Sequence, residues 1–162
     1  MSEVTMTSPK EDIIGRIQMG SGLLQKDLGA MSDEMLSTCP GGTARCGFDL
    51  VYEMAFVNRM VAGTLRGDLG VIPEPQGWIR APQEYQSKAD AMKDLSDSVD
   101  ELLAAFGNVS EGDLAKEIET PLGKMAIGQV MAIMGGHLMY HSGQLNYIQT
   151  LHGDDVFHWA EA

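Results

Sequence analysis

Apolar residues return every three to four positions along four stretches of the chain, the spacing that lines one side of an α-helix. The first predicted helix runs from about Glu11 to Met31, with Ile13, Ile14, Ile17, Leu24 and Leu28 on one side. Ser8-Pro9 supplies its start, and Ser32-Asp33 opens the following turn. The second runs from about Ala44 to Arg66 and is ended by Gly67, with a stripe of Cys46, Leu50, Val57, Met60, Val61 and Thr64. The third spans about Pro82 to Phe106, with Pro82 in its first turn and Tyr85, Met92, Leu95, Val99, Leu102 and Phe106 at helical spacing. The fourth runs from about Met125 to Leu151, where Gly153 stops it.

The joints are legible too. Pro40–Gly42 forms a loop. Residues 67–82 hold Gly70, Pro73, Pro75, Gly77 and Trp78, a connection long enough to cover something or to carry function. Ser110–Asp113 breaks the helical pattern, and Lys116–Lys124, with Thr120-Pro121 and Gly123, reads as an extended connector. Four amphipathic helices in 162 residues, with no repeat or low-complexity tract, predict one all-α domain over 1–162, a helical bundle with a substantial core.

The fourth helix departs from the pattern because its back is uncharged as well. Residues 125–153 contain no Asp, Glu, Lys or Arg. Gly128, Gln129, both histidines, Ser142, Gln144, Asn146 and Gln149 make the stretch too polar for a lone membrane span. The back carries Gly128, Ala132, Gly135, Gly136, Met139 and Gly143. Glycine inside a helix costs roughly 1 kcal/mol against alanine, so several together call for close approach of a neighbour. A second subunit, making a homodimer, is the expected neighbour, with Tyr140 and Tyr147 at the seam. The alternative is enclosure by the three other helices of the same chain.

Charge narrows the partners. Against 23 acidic residues stand 11 basic ones, a formal charge of −12. No Lys/Arg run exists to neutralise phosphates, so nucleic acid and anionic membrane surfaces are excluded as expected partners. Met1–Glu11 lacks the apolar core of a secretory signal, which leaves a cytoplasmic protein as the expectation. Cys39 and Cys46 match neither a zinc-finger nor a redox spacing and read as ordinary thiols.

His137 and His141 are four residues apart on the fourth helix, one above the other. At about 100° per residue they fall in line with Val130, Met134, Leu145 and Ile148, so both imidazoles point inward. On the second helix Glu53 lies within about 40° of Cys46, Val57 and Thr64, at the centre of the apolar stripe. A lone carboxylate there would cost several kcal/mol or stay protonated. Two neutral imidazoles and one carboxylate around a divalent cation remove that cost and leave positions open for water or substrate. The competing arrangement is an ionised Glu53 hydrogen-bonded to a protonated histidine. Leu138 stands where a zinc protease has its general-base Glu, and the paired Glu-x-x-His of ferritin-like sites is missing. Asp49, one turn before Glu53, is a second candidate carboxylate ligand. Gln144 lies one turn beyond His141 and is placed to orient a ligand or substrate, and Trp78 to cover the site mouth. His152 and His158 read as surface or terminal-packing groups.

His137-Leu-Met-Tyr-His141-Ser-Gly-Gln144 resembles the last-helix signature of the DinB/YfiT-like superfamily, H-x-x-x-H-x-G-Q. Thr120-Pro-Leu-Gly-Lys124 is similar to its preceding connector, and the order of elements agrees over nearly the whole chain. The resemblance implies a four-helix bundle with up-down-down-up connectivity, commonly a homodimer, holding one divalent ion by one second-helix histidine and two from the last helix. It further implies metal-dependent transfer or isomerisation with a low-molecular-weight thiol, with metal-assisted hydrolysis behind it. Carried over by position, His137 and His141 match the paired ligands, and Glu53 falls where the family has its third histidine. A carboxylate there favours harder metals and leaves Zn, Ni, Fe and Mn open. The alternative from another class is a non-catalytic dimeric bundle with a structural metal site or a buried Glu-His network.

Overall fold

The computed structural model describes residues 7–68 and 77–160. Residues 1–6 of the N-terminal stretch, and Gly70, Pro73 and Pro75 of the long loop, lie outside the described residues.

Helix α1, Pro9–Ala30, begins at a capping box: Ser8 Oγ accepts from the Glu11 N–H, and Glu11 Oε2 accepts from the Ser8 N–H. Ile17, Leu24 and Leu28 from its predicted stripe are fully buried. Where the sequence predicts only a turn, Ser32 caps a short second helix, α2, Asp33–Ser37, which buries Leu36. Helix α3, Gly47–Arg66, ends on Gly67 at φ +81°, the left-handed closure that glycine adopts without a Cβ penalty. Leu50 and Val61 of its predicted stripe are buried, but Cys46, Val57 and Met60 are only partly so, and the buried face turns toward Val51, Met54, Ala55, Asn58 and Ala62. The cause is contact on two sides: α3 packs against both later long helices, Lys88–Gly107 (α4) and Ile127–Leu151 (α5).

Helix α4 spans Lys88–Gly107, six residues later than the predicted start. Pro82 instead heads a turn closed by the Tyr85 N–H on its carbonyl, and Ser87 supplies the cap oxygen that proline lacks. Tyr85 leaves the helix to meet Phe48 and Tyr52 edge-on and to donate to Asp94. The expected extended connector is a hairpin, β1 (Glu117–Thr120) paired antiparallel with β2 (Gly123–Ala126). It delivers the chain to α5, Ile127–Leu151, and the carbonyls of Lys116 and Leu114 accept the first free helical N–H groups, those of Ile127 and Gly128.

The four long helices form an up-down-down-up bundle in which α1 lies mainly along α5 and α3 along α4. Contacts of α3 with α5 and of α1 with α4 close the ring. Part of the glycine back of α5 is used inside the chain: Met139 lies over Gly20, Gly135 faces Ile17, and Gly128 faces the Leu114 carbonyl. For these positions the neighbour is the chain itself, not a second subunit. Gly136 and Gly143 face open space. Among the described residues no helix is long and apolar enough to cross a membrane.

Candidate metal centre

The α3–α5 contact brings Glu53, His137 and His141 together, with one donor atom of each within 4.8 Å of the others. The His137 and His141 Nε2 atoms are 3.0 Å apart, and Glu53 Oε2 lies 3.6 Å from His141 Nε2. Donors held about 2.0–2.2 Å from one ion stand roughly 3.0–3.6 Å from each other, so these separations fit the edges of a coordination polyhedron. Glu53 sits at the margin of the buried face, its side chain 15% exposed, rather than at the centre of the stripe. The shifted burial of α3 accounts for the difference.

Protonation fits the same use. Burial, then the Arg45 charge, lowers His137 to about 4. Burial, then His137, lowers His141 to about 3, although the Gln144 hydrogen bond opposes the shift. Both rings are neutral at neutral pH, the form that binds metal. Gln144 Oε1 accepts from His141 Nδ1–H at 2.7 Å, which fixes the tautomer and leaves the Nε2 lone pair facing the cluster. Gln144 Nε2 in turn donates to the Tyr140 hydroxyl at 3.3 Å. His137 has no such support: its Nδ1 is buried without a hydrogen-bond partner among the described residues.

The carboxylate also has a partner within the chain. Arg45, on the turn before α3, donates from Nη1 to Glu53 Oε2. Its side chain is 6% exposed, and its guanidinium lies 4.6 Å from the centroid of the Trp78 ring. In place of the competing arrangement, Glu53 on a protonated histidine, the structure has an Arg45–Glu53 pair beside two neutral rings. Arg45 is a site residue that the sequence reading missed. One signal could have found it: Arg45 is the only Lys or Arg between Lys26 and Arg59, and it stands in the loop that opens the helix carrying Glu53.

Asp49 is not part of the cluster. Its Oδ1 accepts from the Ala81 N–H at 2.9 Å, and its Oδ2 from Arg80 Nη1 at 2.9 Å and the Cys46 N–H at 3.2 Å. It caps α3 and ties down the segment that carries Trp78. Trp78 is largely exposed, and its ring lies against the Arg45 guanidinium. Beside the cluster opens a cavity of about 450 Å³, lined in part by Thr43, Arg45, Trp78, Tyr140, Gln144 and Tyr147. His158 Nε2 pairs with Asp154 at the chain's end, and His152 caps α5 on the surface, both away from the centre.

A four-helix bundle holding an inward His-x-x-x-His pair and a facing carboxylate defines a class, helical bundles with a candidate metal centre. The family model of the DinB superfamily matches residues 50–145, more than half of the chain, and the chain belongs to that superfamily. Two solved structures share the fold. One is a conserved protein from Enterococcus faecalis, 16% identical, covering 90% of this chain and 98% of its own, with a TM-score of 0.70. The other is YfiT from Bacillus subtilis, described as a probable metal-dependent hydrolase with an unusual four-helix bundle topology. It is 11% identical, covers 94% of this chain and 93% of its own, and has a TM-score of 0.71. No curated protein matches the chain.

Proposed function

We propose that this chain is a divalent-metal-dependent enzyme, a hydrolase or a transferase using a low-molecular-weight thiol, with Glu53, His137 and His141 as ligands. The observation that carries this reading is the convergence of three ligand atoms within 4.8 Å, one from a carboxylate and two from imidazoles that burial keeps neutral. The metal-dependent description of YfiT supports it. A bound ion, whether Zn, Ni, Fe or Mn, would supply Lewis acidity and lower the pKa of a coordinated water or thiol. The chain's own part is positional. Gln144 holds His141 in the ligating tautomer, burial keeps both imidazoles unprotonated, and Trp78, Tyr140 and Tyr147 shape the cavity where substrate binds.

A second reading, a non-catalytic bundle with a buried polar network, is favoured by one observation: Arg45 already satisfies Glu53. Calorimetric titration of untagged protein with Zn²⁺, Ni²⁺ and Mn²⁺ separates the two. The enzyme reading expects saturable binding of one ion per chain that is lost in His137→Ala and His141→Ala. Heat signals no larger than those of the double variant would establish the network reading instead. We also propose that the chain is a homodimer, joined along the uncharged outer stripe of α5.

A further inference from the structure

Glu53 is the one acidic ligand of the candidate centre and also the carboxylate that Arg45 holds. Asp49, the other carboxylate at this end of α3, is taken by Arg80. With the ion on Glu53 and two neutral imidazoles, a divalent cation and a guanidinium face a single carboxylate. Two formal positive charges are then left in a largely buried space, a costly state unless an anion enters. Arg45 cannot withdraw into solvent easily, because its side chain is 6% exposed and rests against Trp78.

The cavity of about 450 Å³ is where such an anion would meet it. Among the described residues lining it, Arg45 is the sole cation, and Trp78, Tyr140 and Tyr147 give it aromatic walls. A planar guanidinium presents its N–H groups in a fork that matches a carboxylate. Given a metal on Glu53, His137 and His141, on which the inference depends, we infer that Arg45 is an anion-binding residue, released from Glu53 when metal binds. The cavity then takes a small carboxylate with a flat or apolar body. The aromatic walls, more than the charge count, favour a carboxylate on a flat body over a fully polar phosphate. The pairing makes metal and carboxylate positively coupled, and by linkage each raises the other's affinity by the same factor.

Benzoate is the probe, benzamide its neutral counterpart and inorganic phosphate the rival anion. Their affinities are measured calorimetrically on metal-free and Zn²⁺-saturated protein, and Zn²⁺ affinity is measured with and without benzoate. The expected result is benzoate binding about tenfold or more tighter to the Zn²⁺-loaded protein. Zn²⁺ should bind tighter by the same factor when benzoate is present, and benzamide should show no such coupling. Arg45→Met should abolish the coupling, and Arg45→Lys, which keeps the charge and serves if the Met variant does not fold, should retain part of it. Equal binding of benzoate and benzamide, phosphate binding as tightly as benzoate, or full coupling in Arg45→Met overturns the proposal while leaving the metal centre intact. Failure of Zn²⁺ to bind at all overturns both.

Discussion

Glu53 and Arg45 face each other with little water access, so the pair's energetics are those of burial more than of surface charge. Removing one partner strands the other. In metal-free protein Glu53→Ala should cost about 3 kcal/mol in denaturant unfolding, and the double change Glu53→Leu with Arg45→Met should recover most of that loss. A single-variant cost no larger than the double's would mean the pair is not formed. The histidines give a second residue-scale signature. Their folded values of about 4 and about 3 lie below the unfolded value of about 6.5, so between these limits the unfolded chain binds more protons. Stability of the metal-free protein should be level above about pH 6.5 and fall as pH drops toward 4, by up to about 1.4 kcal/mol per pH unit for each ring. The variant carrying His137→Asn and His141→Asn should lose most of this slope, and an unchanged slope would place the titration elsewhere. Gln144→Leu frees the His141 tautomer and should weaken metal binding by about 10- to 100-fold while the fold melts nearly as before.

At the scale of elements, periodicity found all four long helices and placed the two histidines on the inner side of the last. It misjudged α3 because a helix packed on two sides buries a face wider and differently centred than a single stripe suggests. That error put Glu53 at the centre of the core instead of at its rim, where Arg45 reaches it. The hairpin before α5 was invisible to periodicity, since four-residue strands show too few alternations to separate them from extended chain. Arg80 and the role of Asp49 were missed for another reason: their pairing spans 31 residues and depends on how the loop returns. Asp49→Ala should therefore act on structure, not on ligation. It removes acceptors for Cys46, Arg80 and Ala81 and should cost about 2 kcal/mol, with metal affinity changed by only a few-fold. A collapse of metal affinity beyond the loss of stability would make Asp49 a ligand after all.

For the whole molecule, the open question of the sequence was what covers the uncharged back of α5. Half of the answer lies inside the chain, where Gly135 and Met139 meet α1. The outer half carries Ile133, Tyr140, Tyr147 and Leu151 exposed, with Gly136 and Gly143 between them and open space above both. A second copy laid along this stripe would bury large side chains and would also border the cavity that Tyr140 and Tyr147 line. Sedimentation should show a dimer, and Gly136→Leu or Tyr147→Lys should shift it toward monomer. A wild-type monomer at micromolar concentration would leave the stripe without this partner.

The central claim is that Glu53, His137 and His141 are a metal site, and elemental analysis tests it most directly. Protein purified without a histidine tag and without chelator should carry about one transition-metal or zinc ion per chain, and the variant with all three residues replaced by alanine should carry none while remaining helical. Wild-type protein that holds no metal, even after exposure to Zn²⁺, Ni²⁺, Fe²⁺ and Mn²⁺, would contradict the account.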